Sequence, residues 1–151
     1  VIEKIPGVRF VMVGTGDMYH RMIEMAADLG IGKYFHYTGF LDRLQVKRIY
    51  RMSDLYVMPS VSEPFGLTPL EALAEGVPVI ISRQSGASEV LQNCIKVDFW
   101  DTDQLARSII KVLEEKEATV EMIRGGQEEL GKVTWEMAAQ RVEEIYYGML
   151  S

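Results

Sequence analysis

Residues 53–82 read SDLYVMPSVSEPFGLTPLEALAEGVPVIIS, and their pattern changes from strand to loop to helix and back to strand. The run from Leu55 to Met58 is short and apolar, bounded by Ser-Asp before it and Pro-Ser after it, as a strand would be. The segment from Thr68 to Glu75 is rich in Leu and Ala, opens on Thr-Pro and stops at Gly76, which is the punctuation of a short helix. A second apolar run, Val79 to Ser82, shows no polar alternation and suits a strand covered on both faces. Strand, helix and strand in about thirty residues form a crossover unit, and a crossover joins parallel strands. The intervening loop, VSEPFG, leaves the carboxyl end of its strand, the side on which open parallel sheets bind ligands.

The same alternation extends outward. Further strands are predicted at 8–13, 35–38 and 95–99. A helix is predicted at 17–29, with Asp17 as N-cap, Gly30 as stop, and Met18, Met22, Met25, Ala26 and Leu29 on one face as core filling. A second helix spans 44–52, where Arg43, Lys47, Arg48 and Arg51 read as a solvated face, and 86–92 is predicted to hold a brief helical turn. Beyond Phe99 the pattern is wholly helical. The segment 102–116 is expected to bury Leu105, Ile109 and Leu113, and 119–130 to fray at Gly125-Gly126. The last helix, 134–150, is expected to bury Ala138, Val142, Ile145 and Met149. With no repeat, low-complexity tract or linker, 1–151 reads as one domain with 102–151 as its helical C-terminal part. Its class is α/β: a Rossmann-like parallel sheet with helices on both faces.

Composition excludes several functions. The 151 residues are 48% hydrophobic and 25% charged, a balance that supports a packed core rather than disorder. Sixteen Lys and Arg against twenty-two Asp and Glu leave a formal charge of −6 without a basic cluster, which argues against a nucleic-acid partner. Cys94 is alone, so no internal disulfide or zinc thiolate pair can form. Apolar runs such as VPVII are far too short to span a bilayer and no signal peptide is visible, so a cytoplasmic location is expected.

The remaining motifs divide into structural and functional readings. In VGTGDMY, Gly14-x-Gly16 follows a strand, but Tyr19 stands where a dinucleotide fingerprint needs its third glycine, so nicotinamide or flavin binding is not expected. Asp101-Thr-Asp103 has the spacing of a divalent-ion site, yet it precedes a periodic helix and reads as an N-cap with an acid in the first turn. His20 and His36 have no acid or nucleophile nearby in the sequence and read as solvated or packed. Thr68, Pro69 and Glu71 have the spacing of a capping box, which gives Glu71 a structural reason. Glu63 has none: it sits in the loop, ahead of Pro64, in the ligand-binding crevice. Gly66 permits close approach of backbone to ligand, and the amides from Phe65 to Leu67 lead into a helix start suited to a diphosphate. A carboxylate beside it suits sugar hydroxyls, because an ionised carboxylate only accepts hydrogen bonds.

Glu63-Pro-Phe-Gly-Leu-Thr-Pro-Leu-Glu71, the continuing EALAEGVPVI and Gly86-Ala-Ser-Glu89 closely resemble the donor-site half of retaining glycosyltransferases of family 4. FVMVGTGD, YFHYTGFL and YRMSDLYVMPS fall in the same order and spacing, so the resemblance covers the whole chain. It implies the GT-B architecture, with two facing Rossmann-like domains, of which the C-terminal one binds a nucleoside diphosphate sugar without a metal or other cofactor. It further implies that Glu63 binds donor-sugar hydroxyls near the reacting carbon and is catalytic. Phe65, Gly66 and Leu67 would offer amides to sugar or diphosphate, Glu71 would take the ribose hydroxyls, and Gly39-Phe40-Leu41 would contact the base through main chain. The acceptor would be a carbohydrate or a lipid, which leaves membrane association of the parent open.

The chain departs from the family pattern in two ways. The family's domain opens with a strand ending in Gly-Arg and a helix near Lys-Gly, and this sequence starts after both. The chain therefore reads as a fragment lacking its first strand and its N-terminal acceptor-binding partner domain, and is expected to be inactive alone. The strands at 8–13 and 55–58 would lose their shared neighbour, which predicts an unstable edge or a rearranged or swapped contact. Secondly, Ser85-Gly86 replaces the Gly-Gly common among relatives. The competing functions are a GT-B sugar-nucleotide epimerase or phosphorylase, against which the Glu63 and Glu71 spacing argues, and a non-catalytic module that only binds a nucleotide sugar.

Overall fold

The computed structural model describes residues 1–150. Its contacts divide into two compact units, Val1–Met52 and Ser53–Ser151.

The first unit contains β1 (Phe10–Val13), α1 (Tyr19–Asp28), a 3-10 turn (Gly32–Tyr34), β2 (Phe35–Gly39) and α2 (Arg43–Met52). β1 and β2 are parallel, with Phe10 opposite Phe35 and Met12 opposite Tyr37. Alternation puts these four side chains on one face. There the Phe10 and Phe35 rings stack at 4.9 Å, and Tyr37 meets Tyr19 of α1 edge-on at 6.0 Å and donates to the Met22 carbonyl at 3.1 Å. Val11 and Val13, which point the other way, are exposed. α1 starts later than its sequence pattern suggested. Met18 occupies the cap position without a side-chain cap, so Asp17 is not the N-cap. Of the expected stripe only Ala26 is buried and Met22 half-buried, whereas Met18, Met25 and Leu29 are exposed. A sheet of two strands is too narrow to cover a full helical face. Gly30 stops the helix as expected, at φ +68°. α2 begins with a reciprocal cap that the sequence reading missed: Gln45 N–H donates to Asp42 Oδ1 at 2.8 Å and Asp42 N–H to Gln45 Oε1 at 2.9 Å.

The second unit holds β3 (Tyr56–Met58), α3 (Leu67–Ala74), β4 (Val79–Ser82), α4 (Ala87–Val90), β5 (Ile95–Val97), α5 (Thr102–Glu114), α6 (Lys116–Leu130) and α7 (Trp135–Leu150). Its sheet is parallel, in the order β3-β4-β5, with Val57 opposite Ile80 and Ile81 opposite Lys96. All four residues of β4 are buried, as expected of an apolar strand without alternation at the sheet centre. Leu73, Ile80, Ile81 and Leu91 are fully buried, each contributing about 1.5–3 kcal/mol of apolar burial. Among the described residues β1 pairs with β2 in the first unit and β3 with β4 in the second.

The helical part corrects three expectations. In α5 the buried positions are Ile109 and Val112, while Leu105 and Leu113 are half-buried, so the inward stripe is rotated relative to the predicted one. α6 runs unbroken through Gly125-Gly126. The glycines are seats rather than breaks: a Cβ at Gly126 would stand 2.8 Å from Leu73 Cδ2, and one at Gly125 would overlap the Asn93 side chain. Gln127 Nε2 donates to the Leu73 carbonyl at 3.1 Å, and the Glu129 carboxylate accepts from the Gln92 amide at 2.9 Å and from Asn93 Nδ2 at 2.6 Å. These tertiary contacts outweigh the poor helix propensity of two glycines. In α7, Ala138, Val142, Ile145 and Met149 are exposed rather than buried.

Candidate functional site

The chain leaves β3 at Met58, runs through residues 59–66, and enters α3 at Leu67. The turn into the helix is made by Gly66, at φ +85° and ψ +81°, a left-handed conformation that L side chains rarely adopt. Space demands glycine as well, since a Cβ there would meet Glu63 Cγ at 3.0 Å and Met58 Cε at 3.1 Å. The Glu63 side chain is therefore folded back against the helix entrance, where the backbone approaches it closely.

Gly66 is the N-cap of α3, and no side chain caps it. This overturns the capping box. The helix starts one residue earlier than predicted, which moves Thr68 to its second position and Glu71 to its fifth, too far along for a reciprocal cap. The Thr68 hydroxyl is engaged instead by β3: it accepts from Tyr56 Oη at 2.7 Å and donates to Met58 Sδ at 3.6 Å. Glu71 is exposed, so the structural reason assigned to it is gone. The first helical turn retains unbonded amides by construction, with Leu67 and Thr68 supplying N–H groups and Pro69 having none. Phe65 and Leu67 side chains are exposed beside them.

Tyr56, on β3, feels the charge of both carboxylates. Its phenol is pushed above the ordinary tyrosine range, first by burial, then by the negative charges of Glu63 and Glu71, while the hydrogen bond with Thr68 pulls the other way. The sequence reading missed Tyr56. The signal was present, since period two places Tyr56 and Met58 on the same face of β3, and both reach Thr68.

Of the other predicted residues, Phe40 and Leu41 lie in the first unit, just after Gly39 at φ +70°; Phe40 is 80% exposed and Leu41 half-buried. Asp101 is an N-cap as predicted, its Oδ1 accepting from the Gln104 amide at 2.8 Å. Among the described residues no group of three or more His, Cys, Asp or Glu could hold a metal ion. No helix among them is long and apolar enough to cross a membrane.

Residues 1–129 match the family described as glycosyl transferases group 1, and the chain belongs to that family. An uncharacterized glycosyltransferase of Methanocaldococcus jannaschii is 29% identical over 142 residues, covering 91% of this chain and 36% of the relative. Anabaena HepE, solved in complex with UDP, superposes with a TM-score of 0.81 at 21% identity, over 97% of this chain and 44% of that one. The C-terminal domain of a glycosyl transferase group 1 family protein (LpcC) from Francisella tularensis superposes with a TM-score of 0.77 at 23% identity, over 87% of this chain and 72% of that one. The fold is that of the C-terminal half of GT-B glycosyltransferases. The chain spans only 35–44% of the length of the first curated relatives it matches.

Proposed function

We propose that this chain is the donor-binding half of a retaining glycosyltransferase of family 4, which takes a nucleoside diphosphate sugar and passes the sugar to a carbohydrate or lipid acceptor in the cytoplasm. The observation that carries the proposal is the Glu63 side chain held against the left-handed Gly66 at the entrance of α3, with the exposed Glu71 further along the same helix. Two acceptor-only groups next to free helix amides suit a ligand with hydroxyls at both ends and a dianionic linkage between them. In this reading Glu63 accepts from hydroxyls of the donor sugar and orients the ring. The amides of Phe65, Gly66 and Leu67 receive the diphosphate and stabilise the charge that develops on it as the glycosidic bond breaks. Glu71 holds the ribose. Gly39, Phe40 and Leu41 meet the base through main chain. No metal or other cofactor is required, because helix amides supply the electrophilic groups a cation would otherwise supply. The partner is the acceptor-binding domain of the same enzyme. The complex of Anabaena HepE with UDP supports the ligand class.

Thermal melting with UDP, GDP and ADP and their hexose conjugates tests this. A ligand at a hundred times its Kd adds about 2.7 kcal/mol of stability, which in a chain of this size raises Tm by about 5–11 °C. One base should give such a shift, and its hexose conjugate a larger one at equal concentration. Absence of any shift across the panel at millimolar ligand would overturn the proposal.

A further inference from the structure

The loop that carries Glu63 is laced to the turn after β4. Ser82, wholly buried at the end of β4, donates its hydroxyl to the Ser60 carbonyl at 2.6 Å. The Gly86 amide donates to the Glu63 carbonyl at 3.0 Å, and Glu63 and Ser85 form an isolated parallel bridge. Ser85 is itself buried, with its hydroxyl returned to the Ser82 carbonyl at 2.9 Å. Gly86 has φ −61° and ψ −29°, a backbone any residue adopts, so conformation does not explain the glycine. Space does: a Cβ would overlap the Pro64 carbonyl oxygen and stand 2.9 Å from Phe65 Cα. These atoms are main chain and can move only if the loop moves.

We infer that Ser82 and Gly86 are positioning residues that set the Glu63 carboxylate toward the donor sugar by clamping its loop to the turn after β4, the Gly86 amide serving the Glu63 carbonyl rather than a phosphate. The inference rests on the donor-site reading above. Ser85 belongs to the same clamp: its side chain points into the protein and closes the turn. The clamp acts on the sugar end of the site. Leu67 and Glu71, which belong to α3, are not part of it, whereas the Phe65 amide shares a peptide with the Pro64 carbonyl and moves with the loop.

The test compares the full 151-residue chain with Gly86→Ala, Ser82→Ala and, as a fold control, Gly125→Ala, which overlaps Asn93 away from the loop. Calorimetry with the nucleoside diphosphate and hexose conjugate that bind best from the panel gives, for each variant, the ratio of the two Kd values, the gain due to the sugar. Gly86→Ala should abolish that gain, and Ser82→Ala should reduce it about two- to tenfold by removing one buried hydrogen bond. Ser82→Ala, which adds no atom against the Pro64–Phe65 peptide, should leave diphosphate affinity within about twofold, while Gly125→Ala lowers Tm and leaves the ratio unchanged. In a Glu63→Ala background the two substitutions should cause no further loss, because they act through Glu63. An unchanged ratio, equal losses for both ligands, or losses that add to that of Glu63→Ala would each overturn the inference. If Gly86→Ala does not fold, Ser82→Ala decides alone. If the unaltered chain binds no diphosphate, the donor reading falls and takes the sugar role with it. Hydrogen exchange across residues 60–67 then still reads the clamp by itself: faster exchange in Ser82→Ala affirms it, and no change refutes it.

Discussion

Replacing Glu71 with alanine separates a structural carboxylate from a binding one. Glu71 is the fifth residue of α3, exposed, and no side chain caps that helix, so its removal forfeits no cap. Alanine is the better helix former at an exposed position, which offsets small losses, and surface changes of this kind fall within about 0.5 kcal/mol. For a domain of this size that is a shift in Tm of at most about 2 °C. The ligand side is larger. Hydrogen bonds from ribose hydroxyls to a charged carboxylate contribute about 1.5–3 kcal/mol, or roughly 10–150-fold in Kd for the bare nucleoside diphosphate. Calorimetric titration with the diphosphate and a melting curve on the same sample measure both. A third readout is internal: without the Glu71 charge, Tyr56 should titrate at lower pH, read by tyrosinate absorbance against Tyr56→Phe. A fall in Tm of about 5 °C or more, equivalent to a lost cap of about 1.5 kcal/mol, with diphosphate affinity unchanged, would refute the reasoning and restore Glu71 as a helix-starting residue.

Glu63→Ala should leave Tm and diphosphate affinity nearly unchanged, since the hydrogen bond to Gly86 uses the Glu63 main chain, and should remove the extra affinity due to the sugar; calorimetry with both ligands checks it. Donor binding should be indifferent to a chelator, and Asp101→Ala should cost about 0.5–2 kcal/mol of stability as a lost cap without altering donor affinity, as urea unfolding and calorimetry will show. Cys94 should resist alkylation near neutral pH, because burial foremost, and Glu129 beside it, push its thiol up to about 11 against the opposing pull of Lys96. The folded chain then keeps a proton that the unfolded chain releases above the thiol's ordinary value of 9.0, so stability should fall as pH rises from 9 toward 11, and Cys94→Ala should flatten that decline in pH-dependent unfolding.

The elements of the second unit were legible because their signals are local. The apolar run of β4 matched its predicted limits, and Asp101 caps α5 as its position before a periodic helix implied. The helix at 68–75 was legible in kind but not in its start. Thr68, Pro69 and Glu71 satisfy the capping pattern, yet Tyr56 and Met58 on β3 claim the Thr68 hydroxyl, and the left-handed Gly66 lets the helix begin at Leu67. Two glycines in α6 looked like a break because propensity counts only the cost to the helix, whereas Asn93 and Leu73 fill the space they leave. The stripe on α7 looked buried because its period is amphipathic, but period states which side chains share a face and not whether anything covers that face.

By itself the sequence determined the crossover architecture and the order of its elements, and it put Glu63 in the loop after a strand, since periodicity, turn residues and loop position are properties of neighbours along the chain. Only the tertiary structure decided that Glu71 is freed from capping, that Tyr56 reports on both carboxylates, and that Ser82 and Gly86 hold the loop of Glu63. These rest on atoms brought within hydrogen-bond or van der Waals distance from separate elements, and a hydroxyl or an amide has only a few bonds to give. Which partner takes them is settled by distance in the folded chain, so the same Thr68 that could have capped a helix is held by a strand twelve residues earlier.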